Sequence, residues 1–251
     1  MRKILLIAAL LTTAFTARAQ YVGTQTDLKF GFQLSPAFSW MNTDDTKINA
    51  NGTNLGLKLG MIGEYFFREN YSISTGIGFH FNAGGTLFYE ETVDSVSIWA
   101  EANVPGDNLY SGGTSFKYSL QFVEIPLGLK MRTREFGYVR YYIEPHVVLG
   151  FRTQARGNVE NDKSASAVDP EEKYNIQSAV NLLNFSWGIG GGMEYAISDN
   201  AALVGGIAFQ SGFADVTKDK RTAIYANGGS GREEDSRGKV NSLVIRLGIM
   251  F

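Results

Sequence analysis

The chain of 251 residues contains no cysteine. That removes a lipoprotein attachment site, a disulfide framework and any thiolate metal site. Histidine is scarce, with 2 in the whole chain, and the scattered serines have neither a nucleophile elbow nor a plausible base. Positive charge is not in excess. A formal net charge of −2 excludes a broad basic surface for nucleic acid. No segment of helical period and useful length occurs, and no apolar run reaches the ~20 residues a membrane-spanning helix needs. A mean hydropathy of −0.11 leaves a membrane protein open, because barrel strands are only half apolar.

The one apolar run is short and lies at the N-terminus. Arg2 and Lys3 precede Ile4 to Phe15, and Ala17-Arg18-Ala19 forms an A-x-A cleavage site. Residues 1–19 therefore read as an export signal peptide, and the mature chain is expected to start at Gln20. Residues 20–251 carry no convincing linker and are read as one domain.

What is abundant is glycine and aromatics: 29 Gly, 17 Phe and 12 Tyr against 5 Pro. The period is two. In the last stretch, Leu243, Ile245, Leu247, Ile249 and Phe251 share one face, with Ser242, Arg246 and Gly248 on the other. Leu28 to Trp40 repeats this with Leu28, Phe30, Phe32, Leu34, Phe38 and Trp40 on one face. Four aromatics on one face of one strand fit lipid better than a soluble sandwich core.

Further strands are expected over 54–68, 71–82 with an extension to Tyr89, 115–132, 138–152, 181–198 and 201–213. The 115–132 segment changes phase, from Phe116, Tyr118, Leu120 and Phe122 to Ile125, Leu127, Leu129 and Met131. A β-bulge near Val123-Glu124 is expected to restore one lipid face. Connections alternate in length. Short turns fall at Glu69-Asn70, Thr133 to Gly137 and Asp199-Asn200; long polar loops cover 41–53, 90–114, 153–180 and 215–239. The expected fold is all-β: an eight-stranded antiparallel up-and-down transmembrane β-barrel with short periplasmic turns and long extracellular loops, in the cell outer membrane.

The segments F-V-E-I-P-L-G-L-K-M at 122–131, Y-Y-I-E-P-H-V-V-L-G-F at 141–151 and L-N-F-S-W-G-I-G-G-G-M-E-Y at 183–195 resemble the PorT-like outer-membrane β-barrel family, as do K-F-G-F-Q-L-S at 29–35 and R-L-G-I-M-F at 246–251. The stretch at 124–130 is the most specific part. The resemblance implies a porin-family outer-membrane protein of a Gram-negative bacterium, without catalytic residues or cofactor. It also implies contacts with outer-membrane lipid and with envelope or secretion-system proteins in a surface-attachment machinery.

Inside the barrel, His80 and His146 face inward by parity, with Glu124 and Glu144 nearby. Such a group could ligate a metal or serve as acid and base. The blander reading is a polar plug, with Lys58, Glu64, Glu124, Lys130, Arg132, Arg140, Glu144, Glu194 and Arg246 paired across a narrow lumen. That reading assigns no catalytic, cofactor or metal site. The Gly188-x-Gly190-Gly191-Gly192 run lacks the helix a dinucleotide loop requires. The acidic loop 90–114, with Ile98 and Trp99, is read as solvated or paired with another loop; calcium or a partner is the rival. The expected function is non-enzymatic, a structural or accessory role. The alternative is a narrow channel for ions or very small solutes, favoured if Gly76, Gly78, Gly188, Gly190 and Gly192 leave a gap.

Overall fold

Alternation of large apolar with small or polar residues obliges each strand to show its two faces to different surroundings. The computed structural model describes residues 28–90, 95–105, 109–162, 168–218, 223–225, 232–233 and 236–251. The expected signal peptide at 1–19 lies outside these described residues.

Eight long strands close into a ring: β1 (Leu28–Asn42), β2 (Ile48–Arg68), β3 (Tyr71–Tyr89), β4 (Ser115–Arg132), β5 (Val139–Glu160), β6 (Leu183–Ala196), β7 (Ala202–Gly212) and β8 (Lys239–Met250). Each pairs antiparallel with its sequence neighbours, and β8 returns to β1. The β1–β8 seam keeps one register but is interrupted opposite Leu34–Pro36. Pro36 has no N–H to give to the ladder. Within this gap the Leu247 N–H donates to the Ser35 hydroxyl at 3.3 Å.

The stagger can be followed around the ring. Phe30 faces Gly63, then Thr75, Leu127, Val147, Trp187, Ser211 and Asn241 in turn, and Asn241 faces Trp40. One circuit thus climbs ten residues of β1, from Phe30 to Trp40, which for eight strands requires a steep tilt, about 35–45°. The narrow bore that results accommodates side chains and little else.

The outward faces carry the apolar residues the pattern assigned to them. Phe30, Phe32, Leu59, Ile77, Leu127, Val147, Trp187, Ile207 and Leu247 are all exposed on the outer wall. Tight turns at Glu69-Asn70 and Asp199-Asn200, and the short 133–138 connection, lie at the end that faces the periplasm in outer-membrane barrels.

Two expectations about the other end require correction. First, β4 carries no bulge at Val123-Glu124. Phe116, Tyr118, Leu120, Phe122, Glu124, Lys130 and Arg132 are all buried on one continuous even-numbered inner face. The bulges sit on the flanking strands, between His80 and Ala83 of β3 and at Thr153 of β5. Asn82, at φ 55°, makes the β3 step. Each bulge flips parity, so Ala83, Leu87, Tyr89, Ala155 and Val159 also point inward. Above the bulges the apolar residues face into the barrel.

Second, the loops at 41–53 and 153–180 are shorter than expected, because β1, β2 and β5 run on into them. The wall is also uneven. β2, β3, β4 and β5 have 21, 19, 18 and 22 residues, whereas β1, β6, β7 and β8 have 15, 14, 11 and 12.

The loops close over this apolar interior. Ser95–Ser97 pairs with Leu109–Ser111 and with Ala223–Tyr225, which pairs in turn with Arg232–Glu233, giving a small second sheet. The 90–114 loop is thus paired with the last loop. Of its acidic residues, Glu91, Asp94 and Asp107 lie outside the described residues. Trp99 is buried edge-on against Phe116 and Tyr118, with ring centroids 5.5 and 5.3 Å away. Burial, and then the charge of Asp162, push the Tyr110 hydroxyl pKa well up.

Candidate functional site

Parity delivers four cations and four carboxylates to a lumen too narrow to hydrate them. An unpaired charge there would cost several kcal/mol, so they must find one another. They do so in three tiers.

Nearest the periplasm, Lys130 Nζ lies 2.8 Å from Glu64 and 2.6 Å from Glu194. The Arg132 guanidinium spans the same two carboxylates, contacting Glu64 and meeting Glu194 at 2.7 Å, and it donates to the Ser72 hydroxyl at 2.6 Å. In the middle tier Arg246 meets Glu144 at 2.5 Å, and Ser74 donates to the same carboxylate at 2.8 Å. In the upper tier Lys58 Nζ meets Glu124 at 2.7 Å and the Gln210 amide oxygen at 2.6 Å. Gln210 in turn donates to Ser186 at 2.6 Å.

The polar plug is therefore present, with one member misplaced. Arg140 faces Glu135 at 2.8 Å at the exposed periplasmic mouth. It sits at the foot of β5, one step after the turn, where the lumen opens into a vestibule of about 460 Å³ lined by Lys29, Glu135, Tyr138, Arg140 and Glu194.

The two histidines do not meet. His80 lies in the upper tier, with Nδ1 3.1 Å from Glu124 and Nε2 3.3 Å from Ser39. His146 belongs to the middle tier, with Nδ1 3.1 Å from the Glu144 carbonyl and 3.5 Å from Arg246. Among the described residues, no three His, Asp or Glu side chains converge as a metal would require.

The lumen glycines leave little open. A Cβ on Gly188 would come within 2.5 Å of His146 Nε2, and one on Gly190 within 3.0 Å of the Arg246 guanidinium carbon. At Gly76 and Gly192 a Cβ would strike the adjoining strand's backbone, at 2.2 and 2.1 Å. A cavity of about 80 Å³ is bordered by Glu64, Ser74, Lys130, Tyr142, Glu144 and Arg246.

Above the upper tier the lining turns apolar. Asn54 donates to the Tyr118 carbonyl at 2.7 Å, and beyond it Met41, Leu87, Phe116, Leu120 and Phe122 fill the bore beneath Trp99 and Ile176. The sequence reading missed this second seal; it set Ser39, Ser72, Ser74 and Ser186 on the inward faces but gave them no partners. The signal was there: Phe116 to Phe122 share parity with Glu124, whose inward direction was already assigned.

Residues 19–218 match the family model described as outer membrane protein beta-barrel domain. No curated protein matches in sequence. Similar solved structures include Neisserial surface protein A, at 10% identity over 90% of this chain and 96% of that one, with a TM-score of 0.46. Ail, the attachment invasion locus protein of Yersinia pestis, shows 15% identity over 90% and 100%, TM-score 0.37. The outer membrane protease OmpT from Escherichia coli shows 10% identity over 92% and 99%, TM-score 0.38. A ring of eight lipid-facing strands and a family match over most of its length agree that this chain belongs to the outer membrane protein β-barrel domain family and resides in the cell outer membrane.

Proposed function

We propose that the protein is a non-conducting, non-enzymatic barrel in a structural or accessory role, acting through its extracellular cap and periplasmic turns. The observation that carries this reading is the double closure of the lumen. Tiers of ion pairs hold its lower half, and a buried apolar cluster fills its upper half. An ion entering from the periplasm would have to break paired buried charges and then cross a segment lined mainly by apolar side chains. The E-I-P-L-x-L-K stretch at 124–130 supports membership of the PorT-like group, and with it a place in a secretion or surface-attachment machinery. Export would remove residues 1–19, so Gln20 is the expected first residue of protein isolated from outer membranes, as N-terminal sequencing would read.

The test is single-channel recording of the refolded mature chain in a planar bilayer, with heat-modifiable gel migration reporting that the barrel has formed. A folded, silent barrel is expected. Steady current that responds to charge reversal at Arg246 or Glu194 would overturn the reading in favour of a narrow channel for ions or very small solutes.

A further inference from the structure

On the tall side of the barrel the outer wall changes character without a break. Val123 of β4 and Phe151 of β5 close the apolar belt. The next outward positions are Gln121 and Gln154, then Ser119 opposite Arg156, then Lys117 opposite Asn158. This sheet face has turned polar while still continuous with the lipid-facing surface below it. Arg156 stands about 10 Å above Val123 and Lys117 about 15 Å, allowing for strand tilt. Both backbone positions stand above the headgroup layer, which adds about 5–8 Å to each side of the hydrocarbon core; the Arg156 side chain reaches back toward that layer, to Gln154 one outward position nearer the belt.

The two cations are not spent on carboxylates. Among the described residues, neither Lys117 nor Arg156 makes a salt bridge; the nearby Glu160 carboxylate accepts from the Asn158 amide at 3.1 Å instead. Gln154, with its amide oriented to satisfy its neighbours, accepts from Arg156 Nε at 3.0 Å and Nη2 at 3.1 Å, which holds the guanidinium against the wall. Lys239, also at this rim, is neutralised by Asp44 at 2.9 Å.

We infer that the β4–β5 facet around Lys117 and Arg156 binds the phosphate groups of a lipid in the outer leaflet, whose acyl chains run down the apolar belt beneath. A phosphate needs cationic donors whose long side chains reach headgroup height, above an apolar surface for the chains, and this facet supplies both. The inference rests on the outer-membrane location and not on the lumen being closed.

The probe is diphosphorylated lipid A, titrated into the refolded mature chain in detergent and followed by native mass spectrometry, with fully dephosphorylated lipid A alongside. The wild type should retain the phosphorylated form, and Lys117→Gln/Arg156→Gln should weaken retention by about tenfold or more. Lys117→Arg should retain it, as should Arg134→Gln on a periplasmic turn. Heat-modifiable migration shows that each variant has folded. Equal retention by wild type and the double variant, or equal retention of the two lipids by the wild type, would overturn the assignment.

Discussion

Lys58 and Glu124 have side chains only 9% and 10% exposed, and each is the other's main source of charge compensation. Removing one strands the other in a site that water does not hydrate. Glu124→Leu should therefore destabilise the barrel by about 3–5 kcal/mol, and Lys58→Met on that background should recover most of the loss. Urea titration in lipid vesicles, read by gel mobility, gives both numbers. If the double variant were as damaged as the single one, the pair would be making no mutual contribution. On the outer wall, Leu247 is half exposed to lipid, and Leu247→Arg should cost about 2–4 kcal/mol. Ser186→Ala, which removes one acceptor for Gln210, should cost about 1 kcal/mol in the same titration. Parity made the direction of nearly all these side chains legible. It could not tell which would pair, because partners across the bore are set by the stagger of the ring, and no single strand encodes that. Arg132 and Arg140 point inward by the same rule, yet one bridges two carboxylates and the other reaches a turn.

At the level of elements, β4 was the hardest strand to read and the most informative. Its switch of apolar parity looked like a shift in register, when the strand is regular and its surroundings change. Below Glu124 lipid is outside and charge inside; above it water is outside and the cap core inside. Hydrophobic pattern reports the environment, so a strand crossing from membrane to water reverses its pattern without bending. The bulges lie instead on β3 and β5, whose sequences at Asn82 and Thr153 gave no equivalent cue. The cap depends on close approach at Gly157, where a Cβ would sit 2.5 Å from the Trp99 ring. Gly157→Ala should dislodge Trp99 at a cost of about 1–3 kcal/mol to the cap. In a background with Trp40→Phe and Trp187→Phe, acrylamide quenching of the remaining tryptophan should rise, while heat-modifiable migration of the barrel persists. Unchanged quenching would mean that Trp99 does not fill that notch.

For the whole molecule, the strand count, the direction of the outer faces and the three short turns were all readable from alternation and turn residues. The uneven wall was not, since the residues that lengthen β2 and β5 are polar and read as loop. That unevenness has a consequence in the plane of the membrane. A uniform cylinder looks the same to a neighbour from every bearing. This barrel has a high flank at β2 to β5 and a low one at β7 and β8, so it has a heading. A membrane neighbour drifting in on the high flank meets protein far above the lipid surface. On the low flank the strands it meets end closer to the belt. Encounters would thus be sorted by azimuth before any particular side chain is touched.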